Sequence, residues 1–280
     1  MHILTFDIEE WFHIHDTNWV SENTWPALDI RVLKNTDLIL DFLEKHKLKA
    51  TFYILGWIAE QYPELVKKIA AAGHETGYHS WRHLRPFRQQ KHEFERDLVL
   101  GIELLGNLTG QSITTYRAPD LTLNNESSWI ADCLLAHGIK SSSSTRQGAI
   151  INHQLLPGKP FVFSTPSGGK LIEFPVNRYS LPFARVGYTG SGYFRLLPQS
   201  MLRHCFASNE DFTMSYFHPR DFDTGLPWDK RLSVLRNWKN TVGSESTLQK
   251  LEYFVKRYRF ATVGEAMAKL NVKELPVINL

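Results

Sequence analysis

Short β-type segments alternate with helical ones along most of this chain, and this alternation is the feature that most constrains its fold. HILTFDI at residues 2–8 is typical of a buried strand. The next segment carries Leu33, Leu40 and Leu43 at helical spacing, and KATFYIL at residues 49–55 again has the composition of a strand. Strand, helix and strand in this order predict a βαβ unit with parallel strands.

The alternation continues through the rest of the chain. Further helices are predicted at about 57–72, 91–108, 125–137, 229–239 and 246–258, and further strands at about 74–78, 113–116, 139, 171–176, 213–217 and 259–263. Between residues 141 and 169, Ser, Gly and Pro residues indicate a long loop or an insertion. The pattern predicts a mostly parallel sheet covered by helices, with about six to eight strands in a closed or partly closed barrel.

Composition and charge narrow the classes of function. Apolar residues make up 42% of the 280 and charged residues 22%, as in an ordinary soluble protein that folds as one domain. The net charge is +3, but the Lys and Arg residues are scattered. We therefore expect no nucleic-acid partner, whereas anionic partners such as lipid phosphates or nucleotide diphosphates would be tolerated.

The cysteines and the apolar segments bear on the compartment. Cys133 and Cys205 lie in helical stretches without metal-ligand spacing, which favours buried free thiols. The first residues lack the pattern of a signal peptide, and no apolar run reaches membrane-spanning length. We expect a cytoplasmic protein, with peripheral contact to the inner membrane left open.

Four polar clusters stand at the ends of predicted strands, where a barrel would bring them together. They are Asp7 with Glu9, His79 with His83, Arg117 with Asp120, and His218.

Two of these clusters have the composition of a metal site. If residues 79–83 form a helical turn, His79 and His83 project from one face and can bind one cation. Side chains alternate along a strand, so Asp7 and Glu9 share a face; Glu9 would complete the ligand set and Asp7 would act as a base. The alternatives are exposed or capping histidines and a solvated acidic strand end.

The other two clusters offer groups for acid–base chemistry. A guanidinium at Arg117 could orient the Asp7 carboxylate and keep it ionised, and a surface charge is the alternative. His218 ends a predicted strand and could protonate a leaving amine, whereas a histidine satisfied in the core is the alternative.

Taken in order, TFDIEEW, HSWRH, YRAP, IEFP and FHPRDFD resemble the motifs of the polysaccharide deacetylase family, carbohydrate esterase family 4. The resemblance runs from residue 3 to about residue 223, and its details are similar to the branch found in bacterial exopolysaccharide and surface-glycan systems. It implies a single-domain distorted (β/α) barrel of about seven strands. It also implies a divalent metal, most often zinc, held by an acidic residue and both histidines, with Asp7 as base, Arg117 as its partner and His218 as acid.

The chain departs from the family pattern at two positions. The first motif commonly has two adjacent aspartates, but here Ile8 separates Asp7 from Glu9, so Glu9 is the expected metal carboxylate and Glu10 the fallback. An aromatic residue often follows the proline of YRAP, and here it is Asp120, whose backbone N–H would still contact an oxyanion.

These features predict a metal-dependent hydrolase that removes an N-acetyl group from an amino sugar of a bacterial surface glycan, an exopolysaccharide or its precursor. Trp11, Trp81 and Tyr193 are candidates for stacking on the sugar, with core packing as the alternative; His13 and His15 are interpreted as loop residues. Two other functions stay open: a deformylase or other amide hydrolase acting on a lipid-linked or nucleotide-linked sugar, and an inactive carbohydrate-binding protein.

Overall fold

The computed structural model of the protein describes residues 1–13, 22–181, 184–230 and 232–280, so His15 lies outside the described residues. The α-helices are α1 (Val32–Lys45), α2 (Gly56–Gln61), α3 (Pro63–Ala71), α4 (Lys91–Thr109), α5 (Trp129–Ala136), α6 (Ser191–Leu196), α7 (Gln199–Ala207), α8 (Val234–Thr241), α9 (Thr247–Val255) and α10 (Val263–Lys269). The strands are β1 (His2–Ile3), β2 (Thr5–Ile8), β3 (Thr51–Ile54), β4 (Glu75–Tyr78), β5 (Thr115–Tyr116), β6 (Ser141–Ser142), β7 (Ile150–Ile151), β8 (Gln154–Leu155), β9 (Phe161–Ser164), β10 (Lys170–Glu173), β11 (Arg178–Leu181), β12 (Ala184–Gly187), β13 (Thr213–Met214), β14 (Phe260–Ala261) and β15 (Val277–Asn279).

A parallel sheet forms the centre of the fold. Its strands follow the order β2-β3-β4-β5-β6-β10, each parallel to the next. At the other end β1 lies between β13 and β14, parallel to both, and the N–H of Asp7 donates to the carbonyl oxygen of Phe217 at 2.7 Å. The α/β class and the parallel sheet are therefore confirmed.

The side chain of Asn177 connects the β10 end of this sheet to β13 at the other end. Both edges of β10 are taken, by β6 and by the antiparallel strand β9, and β9 pairs with β15. Toward β13, the N–H of Met214 donates to Oδ1 of Asn177 at 2.8 Å. This arrangement is compatible with a distorted barrel, whose closure stays a prediction.

The two ends of the chain pack side by side. His2 and Ile3 pair with residues 213–214 on one side and residues 260–261 on the other. One continuous core accordingly holds side chains from both halves, such as Phe6 and Phe217, whose ring centroids lie 6.1 Å apart. The single domain over residues 1–280 stays a prediction.

Several helices differ from their predicted bounds for local reasons. The helix predicted at 57–72 is divided into α2 and α3, because Pro63 lacks the N–H that a continuous helix would need. Leu33 is 39% exposed, since the buried stripe of α1 is centred on Val32, Ile39 and Leu43. The segment at 141–169 contains β6 to β9 because its Ser and Gly residues form turns between short strands.

No helix within the described ranges is both long and apolar enough to cross a membrane.

Helix α4 packs against the sheet through a glycine, which yields a stability test. A Cβ at Gly101 would overlap the ring of Tyr78, which is fully buried and held by a 2.6 Å hydrogen bond to Asp97. Gly101→Ala should lower the free energy of unfolding by about 1–2 kcal/mol, because overpacking outweighs the gain in helix propensity.

The same helix offers a matched control at Gly106, where a Cβ would meet no atom closer than 3.6 Å. Gly106→Ala should raise the free energy of unfolding by about 0.5–1 kcal/mol. Urea unfolding of both variants measures the difference, and equal effects would contradict the packing described for α4.

Candidate active site

Ionisable side chains gather at the carboxyl ends of neighbouring parallel strands. Asp7 lies in β2, His79 directly after β4, Arg117 directly after β5, and His218 four residues after β13. Asp7, His79 and His218 line a cavity of about 180 Å³, together with Glu9. Parallel pairing brings these strand ends to one edge of the sheet, as the sequence predicts.

Arg117 is fully buried, and its guanidinium group is held on several sides. Its Nη1 donates to Oδ1 of Asp7 at 2.5 Å and to Oγ1 of Thr5 at 2.8 Å. Its Nη2 donates to Oγ of Ser143 at 2.9 Å and to the carbonyl oxygen of Ser215 at 3.3 Å, and its Nε donates to the carbonyl oxygen of Ser143. The predicted pairing of Arg117 with Asp7 is therefore present.

Glu9, His79 and His83 converge as the residue pattern predicts, and all three are buried. One ligand atom from each lies within 4.8 Å of the other two. Oε2 of Glu9 is 2.8 Å from Nε2 of His83 and 3.8 Å from Nε2 of His79. Two imidazoles and one carboxylate are a ligand set that suits a divalent transition metal.

The histidines reach this position from a loop rather than from a helical turn. Residues 79–85 contain no helix, and the backbone has positive φ at Ser80 (72°) and His83 (58°). Nδ1 of His79 donates to the carbonyl oxygen of Arg117 at 2.8 Å, which leaves Nε2 facing Asp7 and Glu9. The spacing of four residues correctly indicated that the two imidazoles lie together, but an irregular loop, and not a helical turn, brings them there.

The charges around the cavity are set by burial and by close partners. Burial lowers the pKa of His79 to about 4, so its imidazole is neutral at physiological pH. Burial opposes the ionisation of Glu9, but His83 and Arg220 outweigh it and hold its pKa well below the usual range. Nη1 of Arg220 donates to Oε1 of Glu9 at 2.6 Å, so the two oxygens of this carboxylate face different partners.

The neighbouring acid, Glu10, points elsewhere. Its carboxylate accepts hydrogen bonds from the N–H groups of Arg31 and Val32, both at 2.7 Å, at the start of α1. Burial raises the pKa of Glu10 to about 7. The alternation of side chains along the strand favours Glu9 over Glu10 as the metal carboxylate, and the positions of the two side chains agree with this preference.

His218 has a partner that the sequence analysis missed. Its Nδ1 donates to Oδ2 of Asp221 at 3.1 Å, and its Nε2 lies 3.8 Å from Oδ2 of Asp7. Oδ1 of Asp221 lies 3.1 Å from Nε of Arg195, whose other nitrogens donate to backbone carbonyl oxygens of residues 239–242. Asp221 stands three residues after His218 in the motif FHPRDFD, so its spacing was available as a signal. Arg195 lies in the segment GYFRLLP at residues 192–198, and no spacing related it to Asp221.

One further supporting residue acts on the segment next to Arg117. Glu173, in the motif IEFP, is fully buried and accepts hydrogen bonds from the N–H groups of Ser144 and Thr145 and from the hydroxyl of Ser142. Burial raises the pKa of this carboxyl group. Glu173 thereby holds the segment that presents Ser143 to Arg117, a role that sequence reasoning did not assign.

The predicted substrate contacts are only partly brought together. Asp120 lines the cavity with positive φ (56°), and its carboxylate pairs with Arg85 at 2.7 Å. Tyr193 is 50% exposed and lines an adjacent cavity. Its contact with substrate stays a prediction.

The two tryptophans lie in other surroundings. Trp11 is buried in the core, and its indole N–H donates to the carbonyl oxygen of Asp29 at 2.8 Å. Trp81 packs over Gly56 and lines a different surface cavity with Asp97. Neither ring lines the cavity that Asp7 and Glu9 line, and the contact of both tryptophans with substrate stays a prediction. His13 is likewise buried, with its ring 4.4 Å from that of Trp25.

A parallel α/β sheet with His, Asp and Arg side chains gathered at its carboxyl end is typical of enzymes that use acid–base chemistry. Comparison with known proteins shows which families the two parts of the chain resemble. Residues 4–136 match the family described as Polysaccharide deacetylase, and residues 141–268 match one described as Domain of unknown function (DUF3473). This first segment, just under half of the length of the chain, is similar to the polysaccharide deacetylase family, and the resemblance seen in its motifs is confirmed.

Individual proteins with the same activity in their names are similar to part of this chain. A peptidoglycan-N-acetylglucosamine deacetylase of Bacillus cereus is 35% identical over 36% of this chain, and a peptidoglycan deacetylase of Helicobacter pylori is 34% identical over 38%. The chain spans only 37% and 35% of the length of these relatives. A putative polysaccharide deacetylase structure from Mycobacterium smegmatis shares the fold, with a TM-score of 0.66 and 17% identity over 100% of this chain and 92% of that one.

Because Arg117 is buried among several acceptors, the stability of the protein should depend on the shape of its guanidinium group as well as on its charge. Arg117→Lys keeps the charge but removes the planar fork, and should lower the free energy of unfolding by about 2–4 kcal/mol, because buried acceptors lose their donors. Urea unfolding measures this change. Arg88→Lys, at an exposed position, is the control and should change stability by less than about 0.5 kcal/mol; a similarly small effect at Arg117 would contradict the network.

Proposed function

We propose that this protein is a metal-dependent hydrolase that removes an N-acetyl group from an amino sugar of a bacterial surface glycan, an exopolysaccharide or its precursor. The observation that carries the proposal is the convergence of Glu9, His79 and His83 beside the Asp7–Arg117 pair. The similarity to peptidoglycan deacetylases of two bacteria supports the reaction class.

The ligand set fits a divalent metal, for which zinc is our proposal. Nδ1 of His79 donates to the carbonyl oxygen of Arg117, and this hydrogen bond orients Nε2 toward the carboxylates, as is usual for a metal-binding imidazole. Glu9 keeps Oε1 on Arg220 and directs Oε2 toward the two imidazoles. Imidazole nitrogen and carboxylate oxygen together suit zinc.

Asp7 is suited to act as the base. Glu9, His79 and His83 would hold a divalent cation, which would supply Lewis-acid chemistry for amide hydrolysis. Oδ1 of Asp7 is occupied by Arg117, so Oδ2 on the cavity side accepts the proton of the attacking water. The water oxygen bonds to the acyl carbon as this proton leaves.

His218 is suited to act as the acid. Its Nδ1 is held by Asp221, and its Nε2 faces the cavity 3.8 Å from Oδ2 of Asp7. Nε2 donates a proton to the amide nitrogen as the bond from carbon to nitrogen breaks. Acetate and the free amino sugar are the products.

The oxyanion that forms in this step needs a hydrogen-bond donor, and we propose the backbone N–H of Asp120. Asp120 follows Pro119 at a turn, has positive φ and lines the cavity. A donor fixed in a turn requires no rearrangement when the charge develops.

The remaining predictions are distinguished by experiment. A carbohydrate-binding protein without activity needs neither a base nor an acid, so the presence of the Asp7–Arg117 and His218–Asp221 pairs favours an enzyme. Comparing acetate with formate release decides between a deacetylase and a deformylase. The cytoplasmic location stays a prediction for cell fractionation.

Glu9 and Glu10 form a matched pair for testing the metal site. Glu9→Gln should weaken zinc binding at least about 100-fold, because the carboxylate charge toward both imidazoles is lost. Glu10→Gln should keep the metal content of the unchanged protein, since its carboxylate lies at the start of α1. Metal analysis after dialysis against a zinc buffer measures both, and loss of zinc only in Glu10→Gln would reverse the assignment.

Asp7→Asn tests the reaction itself. The variant should lose about 10²- to 10⁴-fold in kcat for acetate release from N-acetylglucosamine oligomers, because Asn cannot accept the proton. Its zinc content should be retained, and thermal unfolding should verify that the Arg117 network still folds. Full activity in Asp7→Asn would remove Asp7 from the role of base.

A further inference from the structure

A second cavity, of about 330 Å³, adjoins the candidate active site. Arg146 and Tyr216 line both cavities, so the two are neighbours on the same surface. The second cavity is lined in addition by Arg178, Arg185 and Tyr193. Three guanidinium groups thus face the space beside the proposed reaction centre.

The β11–β12 hairpin brings two of these arginines to one face. Arg178 pairs with Gly187, and Ser180 pairs with Arg185, in an antiparallel ladder. Residues 178 and 180 share a face because side chains alternate, so Arg178 and Arg185 are diagonal neighbours on that face. Arg146 joins them because it forms a parallel bridge with Val176, two residues before Arg178.

The charges of this cluster have no carboxylate partner within the parts of the chain that the structure covers. Nη2 of Arg146 donates to the carbonyl oxygen of Asp120 at 2.6 Å, and Nη1 of Arg185 donates to that of Gly148 at 2.5 Å. Both acceptors are neutral. Burial lowers the pKa of Arg178. The charges of Arg146 and Arg185 lower it further, because the three groups repel one another.

Two glycines leave room for this arrangement. A Cβ at Gly148, where φ is 72°, would overlap the guanidinium of Arg185. A Cβ at Gly187 would lie 2.7 Å from the hydroxyl of Tyr216, on the strand opposite Arg178. The backbone therefore accommodates a concentration of positive charge that lowers stability unless an anion compensates it.

We propose that Arg146, Arg178 and Arg185 bind a phosphate group of the substrate, so that the sugar is deacetylated while linked to a phosphate or diphosphate carrier. This inference rests on the proposed function and narrows its substrate class to phosphate-linked precursors. Several guanidinium forks match the several oxygens and the charge of a phosphate or diphosphate better than the single charge of a carboxylate. The same chemistry is present in nucleotide-linked and lipid-linked sugars.

The test compares kcat/KM for acetate release from four substrates, with the zinc-loaded protein. These are UDP-N-acetylglucosamine, a short-chain prenyl diphosphate N-acetylglucosamine, neutral tri-N-acetylchitotriose, and an N-acetylhexosamine oligomer carrying a uronic acid. Arg178→Gln should lower kcat/KM by about 10-fold or more for at least one phosphate-linked substrate relative to the neutral one. Whichever phosphate-linked substrate responds more strongly identifies the carrier.

Two further variants make the result specific. Arg178→Lys keeps the charge without the fork and should lose less than Arg178→Gln. Arg203→Gln, at an exposed arginine of α7 that lines neither cavity, should lower none of the four values. An equal loss on the neutral trimer in Arg178→Gln, or a loss confined to the uronic acid oligomer, would overturn the inference.

A binding measurement separates this inference from the proposed function. UDP-N-acetylglucosamine and the prenyl diphosphate sugar are titrated calorimetrically into zinc-loaded Asp7→Asn, with and without Arg178→Gln. Binding that weakens about 10-fold or more with Arg178→Gln supports the phosphate subsite even if no substrate is hydrolysed. Hydrolysis of the neutral trimer together with phosphate-linked binding that does not depend on Arg178 would reject the subsite and retain the deacetylase.

Discussion

The buried guanidinium of Arg117 is the interaction on which the rest of the site depends. It joins three separate parts of the chain, namely β2 through Thr5 and Asp7, the segment after β6 through Ser143, and the segment after β13 through Ser215. A buried charge that lost any of these partners would be costly, so the network allows few other arrangements. The carbonyl oxygen of Arg117 also orients His79, which links the proposed base to the proposed metal ligands.

The charges around the cavity form a series of acid–base pairs in which each carboxylate has a cation or an imidazole beside it. Glu9 is held by Arg220 and His83, and Asp221 lies between His218 and Arg195. Burial opposes the ionisation of both carboxyl groups, yet these partners lower their pKa values. Such a site is preorganised, because its dipoles and charges are already oriented before a substrate binds. The arginine cluster of the adjacent cavity differs in that its charges are not paired in this way.

Much of the fold and the central residues could be predicted because they depend on local periodicity. Alternation along a strand predicted that Asp7 and Glu9 share a face, and parallel pairing predicted that strand ends meet. The partners Arg195 and Asp221 are 26 positions apart in the chain, and no periodicity relates positions so distant. The sequence could not show that Trp11 is buried in the core, because an aromatic ring next to a motif has the same sequence signal whether it packs there or faces a ligand.

The sequence by itself determined the class of fold, the order of strands and helices, and the residue types available for catalysis, because these follow from short-range hydrophobic patterns and from motifs within a few residues. Only the tertiary structure decided which of those residues meet. The loop that carries His79 and His83 has positive φ at His83, and the carboxylate of Glu10 lies at the start of α1. Arg146 lies beside the β11–β12 hairpin. The physical reason is that direction and burial of a side chain depend on segments far away in the chain, whose packing no local pattern encodes.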